Sequence, residues 1–280
     1  MAQPLPKLGI LAGGGTLPAR IAAAVRGQGR EVFVVAFDGQ TDPATVEGLP
    51  HMWSRFGAAG GIIARLKQEG VGDLVFAGPV RRPSFTELLP DWYTTKFLAK
   101  VGTRALGDDG LLRSVARELE GEGFRVVGLH ELLGELLTPA GPVGRLRPDA
   151  EAERDIARAV EVASKLGALD VGQGAVVQQG IVLAVEAIEG TDAMLARCAA
   201  VARPGPGGVL VKVKKPQQDR RLDLPTMGVT TVENAARAGL RGIAVEAGGS
   251  LLVDRDAVAE AADRLGLFVV GIAVPLENRA

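Results

Sequence analysis

Apolar positions along the chain fall into runs of strand length, each followed by residues at helical spacing. Residues 8–12 form the first run, closed by Gly13, Gly14 and Gly15, and Leu17, Ile21, Ala24 and Val25 follow at helical spacing. Residues 31–37 (EVFVVAF) are a second strand, rich in β-branched side chains. Ile62, Ile63 and Leu66 mark a helix that Gly70 stops, and residues 73–77 (DLVFA) are a third strand. Asp108 stands where it would cap a helix carrying Leu112, Val115, Ala116 and Leu119, ahead of a fourth strand at 124–128. Strands alternating with helices predict right-handed crossovers and a parallel sheet, so the first half is expected to be a doubly wound α/β unit.

The pattern changes after residue 136. Residues 137–149 contain Pro139, Pro142 and Pro148 with Gly141 and Gly144, a composition that removes backbone donors and makes ordering costly. They read as a linker. A helix over 150–166 follows, with Ile156, Val160, Ala163 and Leu166 on one face, then a hairpin of 175–178 and 181–187 turning at Gln179 and Gly180. Thr191 or Asp192 is expected to start the next helix, 209–213 is a strand, and 214–227 is a long polar segment. Thr230 and Glu233 have capping-box spacing for a helix ending at Gly239. Strands at 243–246, 251–253 and 268–274 and a helix capped by Asp254 complete the chain. The expected fold class is therefore α/β: a Rossmann-like doubly wound domain over 1–136, a linker over 137–149, and a mixed α/β domain over 150–280.

Composition narrows the function classes. The 280 residues carry 32 Lys+Arg against 33 Asp+Glu, a formal net charge of -1, which leaves no broad basic surface for nucleic acid. Cys198 is the sole cysteine, so an internal disulfide and a cysteine-rich zinc site are excluded. The chain shows no secretory leader and no apolar stretch of about 18 residues, so a cytoplasmic location is expected. His51 and His130 are the only histidines, neither near a plausible nucleophile in sequence, which disfavours Ser-His-Asp and Cys-His schemes. An enzyme of this inventory would rely on carboxylates, a metal and Lys/Arg.

Four features could carry that chemistry. The turn GILAGGGTLP leads a strand through glycines into a helix N-terminus, an arrangement that presents amides and a positive dipole end to an anion. Asp38, after the second strand, sits where a dinucleotide-binding fold places its ribose acid, although Pro18 replaces that fingerprint's third glycine. Residues 211–228 (VKVKKPQQDRRLDLPTMG) are long for a loop and mix Lys212, Lys214, Lys215, Arg220 and Arg221 with Asp219 and Asp223, a combination suited to phosphate and divalent metal. Glu186 closes a largely apolar strand and needs a partner such as a metal or lysine; Glu189 and Asp192 follow it. The GPVRRP stretch brings Gly78, Arg81 and Arg82 to the end of the third strand, the edge at which doubly wound sheets bind ligands.

The stretch Lys215-Pro216-x-Gln218-Asp219-x-Arg221-x-Asp223-x-Pro225-Thr226-x-Gly228 resembles the signature of the LpxI family, the UDP-2,3-diacylglucosamine pyrophosphohydrolases of lipid A biosynthesis. So do LxAGGGxLP at the start, FAGxVxRP at 76–83, GDDxLLR at 107–113, and DxGQGxVV with VEAxEGTDAML over 170–195. Residues 38–57 match nothing in the pattern, and Lys214 and Arg220 lie outside it. The resemblance implies Mg²⁺-dependent hydrolysis of UDP-2,3-diacylglucosamine to UMP and 2,3-diacylglucosamine 1-phosphate (lipid X), on a ligand held between two domains. It also implies a Gram-negative source and a substrate whose acyl chains sit at the inner membrane, so that the enzyme would touch that membrane peripherally.

On this resemblance Asp223 is the essential acid, binding metal or positioning water, with Glu186 and Asp192 as further metal ligands and Lys215 and Arg221 as catalytic cations. Gly13, Gly14, Gly15, Thr16, Leu17, Gly78, Arg82, Gln173, Gly174, Thr191, Lys212, Gln218 and Thr226 are the candidates for substrate contact. A homodimer is the default assembly, because two-fold oligomers are the commonest. Two rival readings remain open: an NAD(P)-dependent oxidoreductase built on the glycine turn and Asp38, and a nucleotide- or lipid-binding protein without catalysis.

Overall fold

The computed structural model describes residues 5–81, 89–102 and 108–274, the side chains of 108 and 109 excepted. The chain divides into two compact units, one comprising residues up to Gly134 together with Asp219–Asp223, the other Glu135–Gln218 with Leu224 onward.

The first unit contains β1 (Lys7–Ala12), α1 (Leu17–Gly27), β2 (Val32–Phe37), β3 (His51–Ser54), α2 (Ala59–Gln68), β4 (Val71–Ala77), α3 (Trp92–Val101), α4 (Asp108–Gly121), β5 (Arg125–Val126) and α5 (Leu129–Leu132). Its strands pair in the order β3-β2-β1-β4-β5, every pair parallel, so that the sheet winds outward in both directions from β1 as the alternating pattern implies. Every residue of β2 is buried, the signature of a central strand covered on both faces. Two elements lie outside the expectations. β3 is an edge strand with His51 and Trp53 exposed, so it lacks an apolar run. α3 is held by Asp91, whose carboxylate accepts the Thr94 amide at 2.7 Å and the Gly60 amide of α2 at 2.9 Å. The capping role expected of Asp108 falls on a side chain outside the described residues.

At the opposite edge of this sheet from the glycine turn, Asp73 is buried between two arginines. Arg30 donates to it at 2.5 Å, and Arg125 reaches both its oxygens at 3.1 Å. Burial pushes the Asp73 carboxyl up, but the Arg125 and Arg30 hydrogen bonds outweigh it and hold the group below the ordinary carboxylate range. A depressed carboxyl stabilises the fold above its unfolded pKa, and that contribution is lost as pH falls through the folded value. Asp73→Asn should therefore cost about 2 kcal/mol at neutral pH, and the gap to wild type should close below about pH 4. Urea unfolding at pH 7 and pH 3 measures both; a gap that persists unchanged in acid would contradict the assignment.

The second unit holds β6 (Gly141–Pro142), α6 (Ala150–Ala168), β7 (Gly174–Gln178), β8 (Ile181–Val185), α7 (Gly190–Cys198), β9 (Val209–Lys212), β10 (Thr226–Met227), α8 (Val229–Arg237), β11 (Gly242–Glu246), β12 (Leu251–Leu252), α9 (Arg255–Leu265) and β13 (Phe268–Ile272). Its main sheet runs β6-β13-β11-β9-β7-β8: β9, β11 and β13 are parallel, and β6, β7 and β8 make it mixed. β10 and β12 form a separate parallel pair. In the β7–β8 hairpin, Gln179 and Gly180 both adopt positive φ, as a tight two-residue turn demands, and Asp155 of α6 accepts both of their amides at 3.0 and 2.7 Å.

Several expectations are corrected here. Residues 137–149 are no linker: β6 pairs with β13, Thr138 donates to Ser250, and Arg145 pairs with Asp263. Few residues are needed for an edge strand, and prolines are tolerated there, so composition misled. The two compact units meet at Gly134 and Glu135, within two residues of the expected end of the first domain at 136. α7 starts at Gly190, before Thr191, and α8 starts after Gly228, which puts Thr230 inside the first turn so that no capping box forms. Asp254 does precede α9, but in a left-handed conformation and without a side-chain cap bond.

Candidate functional site

In the first unit the candidate residues stand at the carboxyl ends of β1 and β4. After β1, the amides of Gly13 and Gly14 donate to the carbonyls of Ala77 and Pro79, at 2.7 and 2.8 Å. The two turns approach so closely that a Cβ on Gly78 would lie 2.2 Å from the Gly14 carbonyl oxygen, and one on Gly13 would lie 2.5 Å from that of Pro79. Gly78 also has φ of +86°, so glycine is required on both counts. These glycines thus join two loops, and the Gly13 and Gly14 amides that the sequence offered to an anion donate to those loops instead. Gly15 and Thr16 are exposed at the head of α1, while Leu17 is buried beneath it. Thr41 braces the turn by donating to the Ala12 carbonyl. Asp38 is exposed at the end of β2. Arg82 lies outside the described residues.

The short segment Asp219–Asp223 belongs to this same unit although it comes from the second half of the sequence. Leu222 fixes it there, buried with Leu119, Phe124 and Val126. Arg221 grips Asp219 with two nitrogens, at 3.1 and 2.8 Å, and reaches Glu120 at 2.7 Å. The Arg221 hydrogen bonds hold the Asp219 carboxyl below its ordinary range, and Asp219 and Glu120 in turn push the guanidinium up. Arg221 is therefore engaged in orienting the segment. Asp223, next to the Leu222 anchor, is exposed.

The second unit gathers most of the remaining candidates where β8 and β9 end and β7 begins. Lys212 is 5% exposed; its amine donates to the Thr191 hydroxyl at 2.8 Å and to the Thr226 carbonyl at 3.2 Å. Thr191 donates onward to Glu186, itself 6% exposed, at 2.5 Å. The other oxygen of Glu186 accepts the Gln173 amide at 3.3 Å. Gly172 and Gly174 make room: a Cβ on either would meet the Glu186 backbone or carboxylate. The side-chain oxygen of Gln173 is buried with no partner among the described residues, a group that could accept from a ligand.

Two further residues of the signature segment, Lys215 and Gln218, have structural partners. Lys215 forms an ion pair with Asp170 at 2.7 Å. Gln218 is buried and accepts the Lys215 amide at 3.2 Å, closing the turn after Pro216. Glu246 was not among the candidates, yet it is 3% exposed at the end of β11 and accepts the Lys214 amide at 2.8 Å. The signal that marks Glu186, an acid closing an apolar strand, applies equally to Glu246.

Among the described residues no three His, Cys, Asp or Glu side chains are grouped to hold an ion. Glu186 has both oxygens engaged, and Asp192 is exposed and accepts from Asn234 at 2.8 Å. Magnesium seldom needs a protein cage; it is commonly held by one or two carboxylates and the substrate's own phosphate oxygens. The exposed carboxylate of Asp223, on the signature segment, is one that could serve in that mode.

The structure thus defines a two-unit α/β protein whose doubly wound half carries a glycine turn and a borrowed signature segment. Family models place it more narrowly: the LpxI N-terminal domain matches residues 7–136 and the LpxI C-terminal domain residues 139–270. The chain belongs to the LpxI family. It is 47% identical over 273 residues to the UDP-2,3-diacylglucosamine pyrophosphatase LpxI of Caulobacter vibrioides, an alignment covering 95% of this chain and 97% of that one. Among solved structures, CobK precorrin-6A reductase overlaps 97% of this chain and 89% of its own at 16% identity with a TM-score of 0.33. The biotin carboxylase subunit of pyruvate carboxylase overlaps 84% of this chain and 41% of its own at 12% identity, TM-score 0.27. Both scores are too low to bear on fold or function.

Proposed function

We propose that this protein hydrolyses the pyrophosphate of UDP-2,3-diacylglucosamine, giving UMP and 2,3-diacylglucosamine 1-phosphate for lipid A biosynthesis. The near full-length identity to a UDP-2,3-diacylglucosamine pyrophosphatase carries the reading. The residue chemistry agrees with it. A pyrophosphate repels an incoming water through its own charge, so hydrolysis needs cations beside the phosphates and a carboxylate to orient the nucleophile. Asp223 is the residue we assign to that carboxylate role, as a Mg²⁺ ligand shared with substrate oxygens or as the group that positions water. Lys212, Thr191 and the Gln173 side-chain oxygen are the polar groups of the second unit best placed to meet the substrate's polar head.

The dehydrogenase reading is weaker. Gly13 and Gly14 direct their amides to the neighbouring loop, leaving fewer for a dinucleotide pyrophosphate. Peripheral contact with a membrane stays part of the proposal, because the acyl chains must be drawn from one; no helix among the described residues is long and apolar enough to cross it. Cytoplasmic location and a homodimer remain proposals of the same standing.

Incubating the purified protein with UDP-2,3-diacylglucosamine and following UMP and the diacylated sugar phosphate by mass spectrometry is the direct test. Product should form with Mg²⁺ and vanish in EDTA. Full turnover in EDTA would remove the metal, and no product under any condition would leave the non-catalytic binding reading in its place.

A further inference from the structure

His130 takes no part in the chemistry above, yet it stands beside the signature segment. It lies in α5 directly after β5, at the same carboxyl edge as the glycine turn, and the unit's sheet makes that edge its ligand-facing one. Its ring folds back over Gly128 so tightly that a Cβ there would fall 2.4 Å from Cε1 and 2.5 Å from Nδ1. The same Cβ position is 3.2 Å from the Cα of Arg221, so Gly128 is packed between the imidazole and the segment that carries Asp223. Glu131 locks this corner by accepting the Gly128 amide at 2.8 Å.

The two ring nitrogens are not equivalent. Nδ1 is fully buried and has no hydrogen-bond partner among the described residues. A buried N–H without an acceptor is the more strongly avoided case, so the proton belongs on Nε2, which leaves that nitrogen as the ring's working donor. The ring as a whole is only partly buried, so its outer side remains accessible.

We propose that His130 is a catalytic hydrogen-bond donor for the hydrolysis, its Nε2–H reaching a phosphate oxygen of the substrate as charge builds during cleavage. This rests on the pyrophosphatase reading. The rigid seat over Gly128 would hold the donor in place before reaction, which is what makes such a group effective. His130 itself transfers no proton: water attacks phosphorus and gives up its proton to the surrounding water, the bridging P–O bond breaks, and the donor stabilises the charge left on the departing phosphate oxygen.

The test compares three variants. Gln places an amide N–H near the Nε2 position, whereas Asn and Ala do not reach it. His130→Ala and His130→Asn should lower kcat roughly 100-fold with little change in KM, and His130→Gln should recover most of kcat. Thermal melts of all three should stay near wild type, since the ring makes no hydrogen bond among the described residues that the variants would lose. Wild-type kcat in the Ala variant would overturn the proposal. So would an equal loss in all three variants that follows a falling Tm, because that is the mark of a structural role. A wild-type protein without turnover would instead refute the pyrophosphatase reading itself, before any variant is compared.

Discussion

Replacing Asp223 with alanine should lower kcat roughly a thousandfold, near the upper end for loss of one group that meets developing charge. The fold should not notice. Asp223 is exposed, the anchoring of its segment depends on Leu222 and on the Arg221–Asp219 grip, and exposed substitutions of this kind usually stay within about 0.5 kcal/mol. UMP release at saturating substrate and a thermal melt together check it. Asp223→Asn should fall nearly as far, because the amide keeps the shape and loses the charge that a metal or a water would feel. A variant that turns over within tenfold of wild type would take Asp223 out of the mechanism. Asp219→Ala makes a useful contrast, since it leaves Arg221 with only Glu120 of its two carboxylate partners and should lower stability along with turnover.

The second large effect concerns Lys212. Replacing it with methionine removes the cation that faces Glu186 across the Thr191 hydroxyl and leaves that hydroxyl and the Thr226 carbonyl without their donor, and stranding buried polar groups in this way typically costs about 1–3 kcal/mol. Denaturant unfolding of the second unit should show that loss. Adding Glu186→Gln should recover more than half of it, because the stranded charge is then gone. Additive losses in the double variant would mean that the two side chains are not coupled through Thr191. Turnover should fall in both variants, since Lys212 also holds the Thr226 carbonyl at the end of the signature segment.

How much of this could be read from the chain depends on how local the cause is. The parallel sheet of the first unit was legible because β1, β2 and β4 are apolar runs punctuated by glycine. β3 was not, since an edge strand exposing His51 and Trp53 carries no such run. α3 was hidden for a different reason: its start is fixed by Asp91 reaching across to Gly60, a contact between distant residues. The segment 137–149 shows composition failing, because three prolines and two glycines describe an edge strand as well as they describe a tether.

The site shows the same division. Asp223, Glu186, Thr191 and Lys212 stand out by residue type and motif, but only the folded chain connects Lys212 to Glu186 through a hydroxyl. Motif matching also singled out Lys215 and Gln218, but it did not reveal the ion pair of Lys215 with Asp170 or the bond by which Gln218 accepts the Lys215 amide. Glu246 and His130 escaped because their significance lies in what packs against them, and spacing along a sequence carries no information about that.

The return of Asp219–Asp223 to the first unit also limits how the protein can be taken apart. A fragment ended at Gly134 lacks Leu222, so Leu119, Phe124 and Val126 would face water where that side chain belongs. It would lack Asp223 as well. Neither half expressed alone would be a faithful copy of its unit, and an attempt to assign ligands to isolated halves would be measuring proteins that nature does not make.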